Sequence, residues 1–394
     1  MIADLDSRLR AAHCCIVVPT YNNAPFLPNF LKELSGVTHR VVIVNDGSTD
    51  DTAEILNQFQ NEFHIVHLPQ NRGKGMALRT AFRKAYEMGY LYAITIDSDG
   101  QHLLSDLNVF LDKIELEPGS MIVGARNMEQ EGVPGKSSFG NRFSNFWYYV
   151  ETFKKLPDTQ SGYRLYPLEP ISKMRFTTVK YEFEIEVLVR LAWKGVPVTH
   201  VPVSVIYHQD GSRISHFRPF KDFSRISVLN TVLVLIAFLY VHPVRFIKSL
   251  TWQNIKAFLN KHLFETGESN LQLAKEIGFG FFMGLFPIWG YQMLVAVFLS
   301  HLMKLNKVVV LLAANISLPP IIPFIIYGSY HFGGLVITND IPLDFSKELT
   351  FAAVSEHILQ YLVGAVMLSL TAGIVGGLLS WLLLTIFRKN PVKQ

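Results

Sequence analysis

Two aspartates after an apolar run, Asp97 and Asp99, flank Ser98, with Gln101 two positions further on. Carboxylates at this spacing reach one hard cation, and Gln101 adds a neutral oxygen. Such a set suits Mg²⁺ or Mn²⁺, which bind through a few carboxylates and complete their shell with phosphate oxygens and water. An ion held this way neutralises charge growing on a diphosphate leaving group. Alone, the same spacing also describes a solvated acidic turn. Asn45-Asp46-Gly47 follows a second apolar run. A carboxylate there can accept from a nucleobase N–H, Gly47 allows a tight turn, and Ser48 or Asp50 caps the next helix. In Asn71-Arg72-Gly73-Lys74-Gly75 two glycines surround a lysine ahead of a helix, which suits close approach to phosphate or ribose.

The elements that must position these groups are legible as apolar runs. Cys14–Pro19, Val41–Val44, Ile65–Leu68 and Tyr92–Ile96 read as strands. Phe26–Leu34, Asp51–Phe59 and Gly75–Glu87 read as the helices between them. Strands apolar on both faces and separated by helices predict an α/β fold with a mostly parallel sheet covered on both sides. Ligands bind such sheets at the carboxyl ends of the strands. Met121–Val123 adds a strand ending in Gly124-Ala125-Arg126, and Asn127–Lys136 reads as a polar, mobile loop. Asn141–Phe153 and Glu182–Trp193 are helical, and Val196–Tyr207 is extended. Gln209–Arg218 is polar and basic, turning at Gly211. Glu184 and Glu186 read as a solvated helix face. Cys14 and Cys15, adjacent on a strand, point to opposite faces and read as core residues without a disulfide.

Of the 394 residues, 49% are hydrophobic and only 17% charged, and the apolar excess lies beyond residue 226. Ile277–Leu302, Val308–Phe332 and Leu359–Phe387 are each long enough to cross about 30 Å of hydrocarbon. Pro319, Pro320 and Pro323 make the second a broken or re-entrant pair. Ile226–Val241 either spans or lies in the interface. Arg388, Lys389 and Lys393 favour an inside C-terminus, and Asp340, Asp344 and Glu348 mark an outside loop. Four spans put both ends inside, yet they leave the basic segment Arg245–Lys261 outside. The expected division is 1–222, a globular domain; 223–245, an apolar membrane-associated helix or linker; and 246–394, an α-helical membrane domain. The net charge of +4 carries no nucleic-acid inference. The charged start MIADLDSRLR lacks an apolar core, so the globular part is expected in the cytoplasm.

VVPTYN, VNDGSTD, NRGKGMA, DSDGQH and Asp158-Thr159-Gln160-Ser161-Gly162-Tyr163-Arg164 stand in this order. Together, over about residues 12 to 218, they resemble the family 2 glycosyltransferases of GT-A fold, and within them the polyprenyl-phosphate sugar synthases. The resemblance implies that Pro19, Tyr21 and Asp46 hold the nucleotide base, with Asn22, Lys74 and Ser98 also on the donor side. It implies that Asp97, Asp99 and Gln101 hold the metal and donor diphosphate. Arg126 would contact the acceptor phosphate, Arg142 would be a second contact, and Ser161 belongs to the acceptor-side segment. Arg213, Ser215 and His216 would form a basic segment near the phosphates. Relatives carry Ser-Lys there, and a neutral imidazole supplies less charge than lysine.

Such enzymes invert the anomeric centre by one in-line displacement. A lipid phosphate acceptor is already anionic near neutral pH and needs orientation and screening, not a strong base. A hydroxyl acceptor needs a base, for which Asp158 is the first candidate. The implied catalytic set is Asp99, Asp158 and Arg126. The expected partners are a UDP- or GDP-sugar, with a lean toward UDP and glucose, a polyprenyl phosphate and the membrane; a homo-oligomer is allowed for. The expected location is the cytoplasmic membrane, multi-pass, with the catalytic domain facing the cytoplasm. The alternatives are a lipid or glycan hydroxyl acceptor in envelope synthesis, and a transporter or scaffold with a nucleotide-sugar sensor. No QxxRW follows the acceptor segment, so processive polymerisation is not expected. The C-terminal part resembles the uncharacterised bacterial domain DUF2062 through Gly278-Phe279-Gly280, Phe286-Pro287-Ile288-Trp289-Gly290 and Asn315. Gly280 and Gly284 there read as ordinary packing.

Overall fold

The computed structural model describes residues 2–128, 135–206, 218–288, 290–317, 320–337 and 358–388. The chain divides into two compact units, Met1–Ile247 and Lys248–Gln394.

In the first unit seven strands form one sheet: β1 (Cys14–Thr20), β2 (Val41–Asn45), β3 (His64–His67), β4 (Tyr92–Thr95), β5 (Met121–Arg126), β6 (Arg164–Pro167) and β7 (Val198–Val203). Their order is β3-β2-β1-β4-β6-β5-β7. Only β6 runs antiparallel to its neighbours β4 and β5; the other pairings are parallel. Every residue of β2 is buried, and β1 is buried except at Pro19, as expected of strands covered on both faces. Alternate residues feed two cores. Ile16, Ile43 and Ile94 enter one, and Cys15, Val17 and Val42 the other. Both cysteines are buried and free.

The helices of this unit are α1 (Ile2–Ala11), α2 (Leu27–Ser35), α3 (Thr52–Gln58), α4 (Lys74–Glu87), α5 (Leu107–Leu116), α6 (Gly135–Thr152), α7 (Leu168–Ser172), α8 (Glu182–Trp193), α9 (Pro219–Ile236) and all but the last two residues of α10 (His242–Ser249). A π-helical turn, Ala237–Val241, joins α9 to α10. The reading of Glu184 and Glu186 as a solvated face is corrected: both are buried. Glu186 accepts from the backbone N–H and hydroxyl of Thr178 and from Arg190, which hold its carboxyl below the usual range despite burial.

In the second unit, where α11 (Trp252–Leu259) comes first, Ile277–Leu302 is not one span. It forms α12 (Asn270–Leu285) and α13 (Gln292–Leu302), parted around Pro287, whose missing N–H cannot continue a helix. Val308–Phe332 divides as expected, into α14 (Lys307–Ala314) and α15 (Ile322–Gly334). The last helix among the described residues is Ile358–Phe387. Among the described residues, Phe220–Ser249 and Ile358–Phe387 are the two helices long and apolar enough to cross a membrane. Gly280 and Gly284 exceed ordinary packing. A Cβ on Gly284 would lie 2.5 Å from the carbonyl oxygen of Ala314, and one on Gly280 would be 2.7 Å from that of Val310, so these glycines bring α12 and α14 into backbone contact.

Candidate active site

The carboxyl ends of β1, β2 and β4 meet where the strand order reverses between β1 and β4, the crevice at which open parallel sheets bind ligands. Asn22 leaves β1 in the left-handed region, at φ +46°, which asparagine tolerates better than most residues. It ties the first loop to the second: its backbone N–H donates to Ser48 Oγ at 2.9 Å, and its Oδ1 accepts from the backbone N–H of Thr49 at 2.8 Å. Pro19 and Tyr21 flank this turn, half-buried. Ser98 faces inward. Its Oγ accepts from Asn23 Nδ2 at 2.8 Å and donates to Thr20 Oγ1 at 3.3 Å. Ser98 therefore joins the loops after β1 and β4. Asn23, its buried partner, directly follows the VVPTYN run, but the sequence reading stops at Asn22.

Asp46 is buried at the end of β2, and its two oxygens accept from the backbone N–H groups of Arg72 and Gly73 at 2.8 and 2.7 Å. Burial raises its pKa, and the two N–H bonds oppose the rise. The pair fixes the start of α4. Gly73, at φ +100°, makes that turn, and a Cβ there would meet Val179 and Lys180.

From the first turn of α4, Lys74 reaches Asp97. Its Nζ lies 2.8 Å from Oδ1, 3.0 Å from Oδ2 and 3.4 Å from Glu184 Oε2 on α8. Burial lowers the pKa of the ammonium, but the two carboxylates outweigh burial and hold it above its ordinary range. Glu184 Oε1 is buried with no hydrogen-bond partner. The sequence reading does not place Glu184 in the site, because its contact with Lys74 is made across more than a hundred residues. Gly162 packs against this ion pair, and a Cβ on it would lie 2.9 Å from both Asp97 Oδ2 and Lys74 Nζ.

Asp97 begins a turn closed by Gly100 at φ +70°, in which Asp99 Oδ1 accepts from the backbone N–H of Gln101 at 3.1 Å. Gln101 is buried, and its carbonyl accepts from the N–H of Ile206. His102 packs on Tyr163 with ring centroids 4.9 Å apart. Burial first, and the nearby charges of Arg126 and Lys74, lower its pKa to about 4, so the imidazole is neutral.

On the other side of β6, Arg126 grips Asp158 through Nε at 2.6 Å and Nη2 at 3.1 Å. Asp158 is fully buried. It also accepts from Asn141 Nδ2 and from the backbone N–H groups of Arg126, Gln160 and Ser161. Desolvation alone would raise its pKa; Arg126 and these N–H donors overcome it and hold the carboxyl below its usual range. A base role for Asp158 does not fit this surrounding, because a buried carboxylate saturated with six hydrogen bonds is an anchor. Ser161 is likewise buried within its own loop. Arg164 organises that loop from β6. Fully buried, it donates to the carbonyls of Ser161, Thr159 and Glu184 at 2.6, 2.8 and 2.7 Å. Arg142 is exposed on α6, next to Asn141. Arg213, Ser215 and His216 lie outside the described residues. Among the described residues there is no group of three or more His, Cys, Asp or Glu side chains that could hold a metal ion.

Residues 15–175 match the family model "Glycosyl transferase family 2", and residues 253–392 match "Uncharacterized protein conserved in bacteria (DUF2062)". An uncharacterised protein of Methanocaldococcus jannaschii is 30% identical over 198 residues, covering 49% of this chain and 81% of that protein. The UDP-N-acetylglucosamine–dolichyl-phosphate N-acetylglucosaminyltransferase of Methanococcus voltae is 26% identical, covering 49% of this chain and 85% of the relative. The dolichyl-phosphate β-glucosyltransferase of Saccharomyces cerevisiae is 28% identical, covering 51% and 68%. With its mostly parallel sheet and its polar clusters at the strand ends, this chain belongs to glycosyl transferase family 2: it is a glycosyltransferase followed by a DUF2062 region.

Proposed function

We propose that this enzyme moves a sugar from a nucleotide-sugar donor to a lipid phosphate of the polyprenyl class, with a divalent cation at the donor diphosphate. The observation that carries the acceptor half is the Arg126–Asp158 pair. Among the described residues, the acidic group put forward as a base on that side, Asp158, is spent on six hydrogen bonds, and what it holds in place is a cation. An anionic acceptor needs a cation and no base; a hydroxyl needs the reverse. The dolichyl-phosphate acceptors named for the Methanococcus voltae and yeast relatives support the same reading.

On the donor side, Asp97 and Asp99 with Gln101 would hold Mg²⁺ or Mn²⁺. The fit is supported by Lys74, whose ammonium already sits on both oxygens of Asp97 as a cationic stand-in. Two carboxylates are too few for a closed cage, so diphosphate oxygens and water would complete the shell. A bound ion supplies charge neutralisation for the departing nucleoside diphosphate. Lys74, shared between Asp97 and Glu184, is placed to turn toward the diphosphate. Asp46 fixes the Arg72–Gly73 turn beside the nucleotide, with Pro19, Tyr21 and Asn22 opposite. Arg126 orients the acceptor phosphate and offsets its repulsion from the donor. The catalytic domain would face the cytoplasm, where nucleotide sugars are made.

Purified full-length protein incubated with labelled UDP- and GDP-sugars, Mn²⁺ or Mg²⁺, and undecaprenyl phosphate should give lipid-extractable label, lost with chelator. Label that appears only with diacylglycerol, or with no lipid at all, would overturn the acceptor assignment.

A further inference from the structure

We infer that the helix running from Pro219 to Ser249 lies in the plane of the membrane surface and does not cross the bilayer. By length and a mean hydropathy of 1.9 over its apolar window, Phe220–Ser249 passes as a span. Its contacts rule that use out. Asp222, Leu229, Leu233 and Ala237, buried at spacings of seven, four and four residues, form with Asn230 a stripe along one side. Leu229 and Leu233 belong to the same apolar core as Tyr148 of α6 and Leu188 of α8. Near the first end, Phe223 packs on Phe143 with ring centroids 5.7 Å apart. Near the other, Phe153 stacks on His242 at 4.1 Å, and Arg245 Nη2 donates to the carbonyls of Ala192 and Trp193 at 2.9 and 2.6 Å.

From Asp222 to Arg245 the helix is about 35 Å long. Fixed to the globular fold at both ends, it could stand upright in a bilayer only by carrying the ends of α6 and α8 into hydrocarbon. Those ends bear exposed Lys154, Lys155 and Lys194. A lysine at the bilayer centre costs about 3 kcal/mol or more. Lying flat, the helix incurs no such cost.

The outward side is built for a lipid surface. Val228, Val232, Leu235, Leu239 and Tyr240 are exposed along it, and Phe146 and Tyr149 of α6 are exposed as well. Lys221 and Arg225 stand near one end and Lys248 at the other, all exposed. Cations at both ends of an apolar, aromatic strip match anionic headgroups above acyl chains, and helices of this kind sink about 5–10 Å into that boundary. The occupant is therefore a lipid bilayer. α6 also supplies Asn141, which holds Asp158, so the helix that meets lipid also braces Arg126. The basic stretch from Arg245 to Lys261 then begins on the catalytic side of the membrane. This inference rests on the packing of the first unit and holds whichever donor and acceptor the enzyme uses.

The test uses the full chain in lipid vesicles, where buried Cys14 and Cys15 give little background to single introduced cysteines. Spin labels at Val228→Cys, Val232→Cys, Leu235→Cys and Leu239→Cys should all report one shallow depth by oxygen and nickel relaxation. Ser249→Cys should react with an impermeant maleimide from the same membrane face as Glu33→Cys in the globular fold. A depth that passes through mid-bilayer, with Ser249→Cys reacting from the opposite face, overturns the inference. So do four labels that all report water.

Discussion

Lys74 sets its ammonium 2.8 Å from Oδ1 of Asp97. The same carboxylate is the first proposed ligand of the divalent ion, so lysine and metal compete for it until donor arrives and gives the lysine a phosphate instead. Lys74→Ala should therefore bind Mn²⁺ more tightly than wild type when no donor is present, while kcat/KM falls about 100-fold. Titration calorimetry and initial rates check both halves. Weaker metal binding in the variant would mean that Lys74 supports the metal site and does not compete with it.

Asp158→Asn keeps the shape of the anchor and removes its charge. Breaking a buried pair on one side costs about 3 kcal/mol, so the melting temperature should drop by several degrees. The acceptor KM should rise more than the donor KM, because Arg126 loses its fixed orientation. Arg126→Lys should keep stability closer to wild type and lose acceptor affinity, since an ammonium cannot reproduce the two-point grip. Thermal denaturation with separate KM measurements for the two substrates distinguishes the variants.

Gly162→Ala pushes a methyl group between two flexible side-chain ends and against no backbone. The fold should survive with its melting temperature nearly unchanged, while turnover drops because the Asp97–Lys74 pair must part. A large loss of stability would show that the loop itself, and not the ion pair, needs the glycine.

Glu151 is fully buried on α6 with neither carboxylate oxygen hydrogen-bonded, and burial pushes its pKa up to about 8 from 4.5. The folded protein thus keeps a proton that the unfolded chain releases. The resulting stability is full below about pH 4.5 and is lost as pH rises toward 8. At pH 7 the loss is about 3 kcal/mol. Glu151→Gln should be more stable than wild type at pH 7 to 8, with the gap closing toward pH 4.5. Thermal melts across that range test it, and parallel curves for the two proteins would sink it.

The parallel half of the sheet is legible because strands covered on both faces must be apolar throughout, as Val41–Val44 is. β6 is not legible, because its four residues include an arginine and a proline. Arg164 is tolerated only because the carbonyls of Ser161, Thr159 and Glu184 satisfy it, and the fold alone brings these together. The motifs locate the loops that carry Asp46, Asp97 and Arg126. They do not distinguish residues that face substrate from those that brace them. Ser98 and Asp158 carry the same polar signature as Asp99, yet both are turned inward. Glu184 was hidden for the opposite reason: at two-residue spacing from Glu186 on a helix, nothing local shows that one acid meets Lys74 and the other caps the Thr177–Thr178 loop.

The reversed direction of β6 has a mechanical result. The peptide from Asp158 leads into β6 at Arg164, and β6 runs between β4 and β5, with Thr95 Oγ1 donating to the carbonyl of Gly162 at 2.6 Å. One short strap is thereby stitched to β4, which stops two residues before Asp97, and to β5, which ends in Arg126. Lengthening it by a single residue would shear the two halves of the reaction centre past each other.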